Sequence, residues 1–162
     1  MDKIDINYHM GTATFPIDMV AGGNKQTYKG MFKVKCILGP LEVIESDALY
    51  RKLLGDSNPN FASEYVGSLA YALSQLKYRI IDAPAWYKND IKMDGSHVDD
   101  AILLSIFDVA VEAEEEYRKG IEEKYQKARN SVVEAIDDGT LNDGSPQQPE
   151  EEEEEKKDET ED

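Results

Sequence analysis

The sequence predicts an α+β fold in which a small, mostly antiparallel sheet from residues 1–45 packs on three α-helices from residues 46–136. Apolar and charged residues alternate with a period of two before Gly39, and apolar residues recur at helical spacing after Ser46. A third observation is a run of acids near the C-terminus. It predicts that a single domain ends near residue 136 and that residues 137–162 form a disordered acidic tail.

The strongest strand signal is YKGMFKVKCIL, residues 28–38. Its aromatic and aliphatic residues alternate with three lysines, which is typical of a strand with one face in the core and the other in water. Gly39 and Pro40 then follow as strong breakers. The pattern therefore predicts a strand that ends before Gly39.

Weaker signals extend the predicted sheet on both sides of this strand. Ile4, Ile6 and Tyr8 alternate in the same way, and LEVI, residues 41–44, is predicted to be a short return strand. AGGNKQ, residues 21–26, is glycine-rich, but no G-K-[ST] sequence follows it as a phosphate-binding loop requires. A hairpin turn is the better interpretation.

Two helices are predicted next. The first has Ser46 as its N-cap and Gly55 as its stop. The second runs from about Phe61 to Ile81, and its end is attributed to Pro84, because proline disfavours a helical conformation in the residue before it. The apolar stripe of the second helix steps by three and four residues and comprises Phe61, Tyr65, Leu69, Leu73, Leu76 and Ile80.

The connection after the second helix, RIIDAPAWYKND (residues 79–90), carries the only tryptophan of the chain. Trp86 and Tyr87 either close the end of the core as a clasp or face a partner protein. Large rings at the connection of a helical hairpin most often plug the core, so the clasp is favoured for Trp86. Tyr87 is followed by three polar residues and is predicted to face outward.

A third helix is predicted to begin near Ser96, with Asp99 three residues later as a variant of the capping box. Its first half is apolar on one side, and its second half is highly charged. We expect the last part of this helix to extend beyond the core before the acidic tail. The core-facing stripe is predicted to consist of Val98, Ile102, Ile106, Val109 and Ala113.

A sparse apolar row continues along the charged half of the same helix. Tyr117, Ile121 and Tyr125 are spaced by four residues and so share one face. The row is too regular for a random surface and too sparse for a compact core. It either packs against the chain's own domain or docks a partner helix or subunit. Together with Trp86 and Tyr87, it forms the predicted partner-binding set.

The net charge of −16 is distributed unevenly. Residues 137–162 hold thirteen acids against two lysines and carry −11, which leaves −5 for residues 1–136. This tail either keeps the protein dispersed or competes for a basic surface on a partner, including a nucleic-acid-binding one. Direct nucleic-acid binding is not expected, because the chain lacks a clustered stripe of lysine and arginine.

No catalytic, cofactor or metal site is predicted. The calcium-loop pattern that begins at Asp90 fails, because Lys92 stands at a ligand position and Ala101 replaces the bidentate glutamate. The two histidines, His9 and His97, lack a paired spacing for zinc. Cys36 lies on the apolar side of the predicted strand and is interpreted as a core residue rather than a nucleophile.

The chain also shows few signs of an oxidising or membrane environment. A single cysteine excludes an internal disulfide. The N-terminus lacks the basic flank and apolar run of a secretion signal. No stretch approaches the roughly 18 apolar residues of a spanning helix. We therefore expect a soluble, intracellular protein that does not bind membranes.

Three motifs taken in order carry a resemblance: FKVKCILGPLEVIESDALYRKLLG, then LKYRIIDAPAWYKND, then EEEYRKG. Their succession, over roughly residues 30–120, resembles small accessory proteins encoded among the tail genes of tailed bacteriophages and described as tail assembly chaperones. The matching positions are Asp47, Leu53, Leu54, Gly55, Leu76, Ala83, Pro84, Trp86, Glu116, Tyr117 and Arg118.

The resemblance implies a non-enzymatic assembly factor in the cytoplasm of a bacterial host, with or without retention in the virion. Such chaperones bind the long helical tape-measure protein and help to recruit tail-tube subunits. Trp86 and Tyr87 would then be interface anchors, and a homo-oligomer is compatible with this role. The alternative is an acidic regulator or nucleic-acid mimic that occupies a basic host protein through the glutamate-rich tail.

Overall fold

The computed structural model describes residues 4–22, 25–55, 63–88 and 98–137, with side chains in the last range as far as residue 133. The chain divides into two units, Met1–Lys124 and Tyr125–Asp162. The predicted α+β class is confirmed. The elements, in chain order, are β1 (Asp5–Asn7), β2 (Thr12–Val20), β3 (Thr27–Lys35), α1 (Pro40–Leu54), α2 (Glu64–Arg79), β4 (Ile80–Asp82), α3 (Ala85–Lys88) and α4 (Asp100–Asp137).

The sheet is antiparallel, and its strands lie side by side in chain order. β2 and β3 pair along their whole length, from Thr12 opposite Lys35 to Val20 opposite Thr27. Side chains alternate between the two faces of a strand, so one face of β3 places its aromatic residues in the core and the other leaves Lys29 and Lys33 in water. The strand predicted within residues 28–38 is therefore confirmed.

The core lies on the inner face of this sheet, where helices cover it. Phe15 of β2 stacks on Phe32 of β3 with ring centroids 6.0 Å apart. Helices α2 and α4 pack apolar side chains against this face, and all of these residues belong to the first unit. The largest fully buried side chains are Tyr87, Phe15, Phe32, Leu76, Ile102, Leu103 and Ile106.

Helix α1 begins at Pro40, so the prediction of a return strand over residues 41–44 is wrong, as is the assignment of Ser46 as the N-cap. Gly39 is the cap, and its N–H donates to the Glu42 Oε2 at 3.0 Å. Proline is well suited to the first helical position, because its missing N–H would have no partner there. Ser46 lies inside the helix, and its buried hydroxyl accepts a hydrogen bond from Gln75 at 3.1 Å.

Helix α2 ends at Arg79, two residues before the predicted end at Ile81. Ile80 starts β4, which pairs with Val34 of β3. Pro84 does not account for this earlier end, because proline restricts only the residue directly before it, Ala83. The other end of α2 is capped by Ser63, and the predicted helix residue Phe61 lies outside the described residues. Tyr65, predicted in the apolar stripe, is half exposed.

The remaining helices are α3, a single turn within the predicted connection, and the long α4. The third helix was predicted to begin near Ser96, but α4 begins at Asp100, so that prediction is wrong and the buried Val98 precedes the helix. The rest of the predicted stripe is buried at Ile102, Ile106 and Ala113 and partly buried at Val109. The predicted cap Ser96 and residues 138–162 of the predicted acidic tail (residues 137–162) lie outside the described residues, and Asp137 is the last residue of α4. Across the described ranges, no helix has the length and apolar character needed to cross a membrane.

Candidate protein-binding surfaces

Tyr87 is fully buried, so the prediction that it faces outward is wrong. The N–H groups of Tyr87 and Lys88 both donate to the Pro84 carbonyl and close the single turn of α3. This turn places the Tyr87 ring edge-on against Phe32, with centroids 5.4 Å apart. A partner cannot reach Tyr87 in this arrangement.

Trp86 has the contacts of a clasp. Its ring lies edge-to-face on Tyr28 and Phe32, at centroid distances of 4.9 and 5.7 Å. Its Nε1 donates to the backbone oxygen of Lys29 at 2.8 Å. The side chain is half-buried, so part of its surface still faces solvent. These contacts join the segment after β4 to β3, and the two lie far apart in the sequence.

A close approach of Gly30 and Pro84 fixes the same segment. A Cβ atom at Gly30 would lie 2.3 Å from the Pro84 Cγ, much closer than carbon atoms tolerate. Only glycine at this point of β3 therefore lets the proline seat on the strand. The sequence contains both residues, but no local pattern relates them.

Tyr117 packs against the chain's own domain, which is one of the two roles left open for it. Its ring stacks on Tyr8 with centroids 5.6 Å apart and an interplanar angle of 17°. A Cβ at Gly120 would lie 2.3 Å from the Tyr8 ring, so the glycine provides the space for that ring. The Lys124 Nζ lies 4.3 Å from the centroid of the same ring. Ile121 is partly buried on this helix.

Tyr125 differs from the rest of the predicted partner-binding set, because 73% of its surface is exposed. It belongs to the second unit, Tyr125–Asp162. The predicted row is thus divided: Tyr117 has an internal partner, and Tyr125 presents an aromatic ring to solvent.

Helix α1 has an exposed apolar face that the sequence analysis missed. Leu41 and Ile44 are each 66% exposed, and Ala48 is exposed beside them. The three residues recur at i, i+3 and i+7 and so lie on one side of the helix. The helix buries only Ser46 and Leu54. The signal was missed because residues 41–44 were assigned to a strand, which breaks the helical spacing.

Further apolar side chains are exposed on α2, which packs against α1. Tyr71 is 47% exposed and contacts Tyr50 and Phe107 edge-to-face, at 5.9 and 5.7 Å. Tyr65 and Val66, in the first turn of the same helix, are about half exposed. The two helices therefore expose more apolar surface than scattered single residues would.

Arg79, Cys36 and Glu114 lie together in the interior and hold three segments of the chain in contact. The Arg79 guanidinium donates to the Cys36 carbonyl at 3.0 Å and to the Glu114 carboxylate of α4. Burial raises the pKa of the Cys36 thiol to about 11, although the Arg79 charge opposes the rise. A thiol of this kind is protonated at neutral pH and is a poor nucleophile.

Burial also tends to raise the pKa of Glu114. Hydrogen bonds from Arg118 and Arg79 outweigh that effect, so the pKa of Glu114 lies below its ordinary value. The carboxylate is thus charged and paired at neutral pH, as a structural ion pair requires.

No group of three histidine, cysteine, aspartate or glutamate side chains within the described ranges is arranged to hold a metal ion. The region around His97 and Asp94, where the failed calcium pattern lies, is outside those ranges. Comparison with protein-family models, with curated proteins and with solved structures finds no match to this chain. The surfaces described above are therefore the basis for proposing a function.

Proposed function

We propose that this protein is a non-enzymatic assembly factor that binds an amphipathic helix of a client protein, as a phage tail assembly chaperone binds the tape-measure protein. The observation that carries the proposal is the exposed apolar face of α1, formed by Leu41, Ile44 and Ala48. The resemblance of the motifs in residues 30–120 to tail assembly chaperones supplies the class of client.

The physical basis is burial of apolar surface. Covering a leucine or isoleucine side chain completely is worth about 1.5–3 kcal/mol. An amphipathic helix laid along α1 would cover Leu41 and Ile44 with its own apolar stripe, at the spacing that helix-to-helix recognition uses. The net charge of −16 would keep such a complex dispersed before the client assembles.

The test is co-expression with a candidate client, a long helical tape-measure protein of a tailed bacteriophage, followed by measurement of the soluble client and of co-purification. Leu41→Lys/Ile44→Lys should abolish co-purification without loss of thermal stability, because both side chains are already exposed. The matched control is Met10→Lys/Met31→Lys, which makes the same charge change at residues that are 64% and 55% exposed. Equal binding by the α1 variant and the control would refute the α1 face as the client site.

Tyr125 offers a second probe that leaves the core intact. Tyr125→Ala removes a ring that is 73% exposed, so loss of client binding at unchanged stability would show that the second unit contributes separately to client binding. Tyr117→Ala is a poorer probe, because it also removes the stack on Tyr8. If Tyr125→Ala binds the client normally, the predicted partner role of Tyr125 is lost and the α1 face carries the function alone.

The alternative function, an acidic regulator of a basic host protein, is favoured by the concentration of −11 in residues 137–162. Deletion of these residues separates the two functions. An α1-based chaperone retains its client after the deletion, whereas a regulator that acts through the tail loses its target. If Leu41→Lys/Ile44→Lys still binds the basic target and the chain without residues 137–162 does not, the protein is a regulator that acts through its tail.

A further inference from the structure

One edge of the sheet is open along most of β2. Among the described residues, β1 pairs with β2 only from Thr12 to Thr14. From Phe15 to Val20 the side of β2 that faces away from β3 has no paired strand in the described chain. An unpaired edge presents a row of backbone donors and acceptors to which another strand can bind.

The hydrogen bonds at the two ends of the β2–β3 hairpin show which residues direct their backbone groups to this open side. The Cys36 N–H donates to the Gly11 carbonyl, and the Ala21 N–H donates to the Gln26 carbonyl, both at 2.9 Å. The register between these ends is continuous, and antiparallel ladders alternate with a period of two. The odd-numbered residues of β2 therefore bond to β3, and the even-numbered ones point the other way.

The open side thus carries the carbonyl of Pro16 and both the N–H and the carbonyl groups of Asp18 and Val20. Proline lacks an N–H, and it is accommodated in sheets where that group would face away from the ladder. Pro16 lies at such a position. The opposite edge of the sheet is partly covered. There β4 pairs with part of β3, and Trp86 donates a hydrogen bond to the Lys29 carbonyl.

A groove of about 680 Å³ runs between the open edge of β2 and helix α4. Its helix side carries three acids, Asp108, Glu112 and Glu116, which recur every four residues and so form one row. All three are exposed, and none forms an ion pair with another residue in the part of the chain that the structure describes. Val109 and Met19 give the groove an apolar component.

We propose that this groove binds an extended segment of a partner protein that carries lysine or arginine at every second position. The segment would add to the sheet as a strand on β2, with main-chain hydrogen bonds to Asp18 and Val20. Because side chains alternate along a strand, every second side chain would point toward the three acids of α4. The proposal concerns a different surface from the α1 face and does not depend on it.

Charge selects this occupant over others. Three unpaired carboxylates in a row favour a cationic segment and disfavour an acidic one. The chain's own residues 137–162 carry −11 and are therefore excluded by sign. Lysine and arginine also suit a groove with Val109 and Met19 in its wall, because their aliphatic stems pack on apolar surface while the charge reaches a carboxylate.

The test uses a fluorescently labelled peptide in which lysine and valine alternate, titrated with the full chain and followed by anisotropy. Binding should weaken as salt is added, because the carboxylates at the rim are screened. A peptide with glutamate in place of every lysine is the control and should not bind. Equal binding of both peptides would overturn the proposal.

Substitutions in the groove test whether its three acids attract the cationic peptide. Asp108→Asn/Glu112→Gln/Glu116→Gln should weaken peptide binding by about tenfold. The matched control removes three exposed carboxylates elsewhere and should leave the affinity within about twofold. Equal losses in the two variants would show a response to net charge alone and would overturn the proposal. The control substitutions are Glu45→Gln, Glu64→Gln and Glu122→Gln.

A substitution pair at Asp18 tests the strand pairing. Asp18→Pro and Asp18→Ala both remove the carboxylate, but only the proline removes the N–H that faces the open edge. Both variants keep the β2–β3 ladder, since the Asp18 N–H does not serve it, and their thermal unfolding should match. The proline variant should bind the peptide at least about threefold more weakly than the alanine variant. Equal affinities would overturn strand addition.

Two other occupants are separated in the same series. Deletion of residues 1–3 should leave the affinity unchanged; a gain of about tenfold or more would show that the chain's own N-terminal residues occupy the edge and would overturn the proposal. Sedimentation velocity should show no mass change between the full chain and Asp18→Pro. A dimer that dissociates in Asp18→Pro would identify a second copy as the occupant and would equally overturn the proposal.

Discussion

The indole nitrogen of Trp86 donates a hydrogen bond to the backbone oxygen of Lys29, and this bond covers a part of the β3 edge that β4 does not reach. The same ring contacts Tyr28 and Phe32 on the core side of the sheet. Trp86 thus closes an edge and extends the core at once. Trp86 and β4 together thus cover parts of the β3 edge, whereas residues 15–20 of β2 have no paired strand on their outer side among the described residues.

Replacement of Trp86 should therefore destabilise the domain. We expect Trp86→Ala to lower the free energy of unfolding by about 2–4 kcal/mol, below the largest values for tryptophan because the side chain is only half-buried. Trp86→Phe keeps a ring but loses the N–H donor, and should cost about 1 kcal/mol. Urea denaturation followed by circular dichroism measures both. An alanine variant as stable as the wild type would contradict the clasp.

Gly120 and Tyr8 should be energetically coupled. Alanine is favoured over glycine inside a helix by about 1 kcal/mol, but a Cβ at 120 would displace the Tyr8 ring from Tyr117 and Lys124. We expect Gly120→Ala to leave stability unchanged or reduce it by up to about 1.5 kcal/mol. In a Tyr8→Ala background the same substitution should stabilise by about 1 kcal/mol.

The double-mutant cycle of these variants in urea isolates the coupling. A gain of equal size in both backgrounds would show that the Tyr8 ring does not depend on the space at Gly120.

Cys36 should be unreactive in the folded protein. Burial raises the pKa of its thiol to about 11, so almost none of it is thiolate at pH 8. We expect iodoacetamide to leave the folded chain unmodified over hours at pH 8 and to alkylate it fully in urea. Mass spectrometry reads both states, and the denatured sample serves as the control. Rapid labelling of the folded chain would mean that the segment directly after β3, which carries Cys36, opens readily.

The ion pair between Arg79 and Glu114 should make stability depend on pH in a defined direction. The pKa of Glu114 is lower in the folded protein than its ordinary value of 4.5. The contribution of the Glu114 carboxylate to the free energy of unfolding is thus complete above the pKa of Glu114 in the unfolded chain. It is lost as the pH falls through the pKa in the folded protein. We expect Glu114→Gln to cost about 2–3 kcal/mol at pH 7, because it leaves the Arg79 charge buried without its partner.

This cost should persist down to about pH 5 and shrink below the ordinary pKa of 4.5, because the unfolded wild type then binds a proton that the folded protein takes up only at lower pH. Thermal unfolding at a series of pH values gives the difference directly. Glu115→Gln, which removes an exposed carboxylate from the same helix, is the control and should stay close to the wild type at every pH. A difference between wild type and Glu114→Gln that is constant down to pH 3 would contradict the role of the charge.

Several helix and strand positions could be predicted because their signals are local. The alternation around Phe32 depends only on neighbouring residues and gave β3 correctly. The error at α1 was also local, since Pro40 and Glu42 form a readable start signal of proline at the first helical position and glutamate at the third. Ser46 was mistaken for the cap because serine is common at caps, whereas here it is buried against Gln75 of α2.

The sequence by itself determined the α+β class, the periodic faces of β3 and α4 and the segregation of negative charge into residues 137–162, because these follow from residue spacing and composition. Only the tertiary structure decided that Tyr87 turns inward, that Leu41 and Ile44 stay exposed and that residues 15–20 of β2, beside the acids of α4, have no paired strand on their outer side among the described residues. Whether a side chain or a strand edge is covered depends on elements that lie far along the chain. Local spacing shows which residues share a face, and packing decides which of those faces is covered.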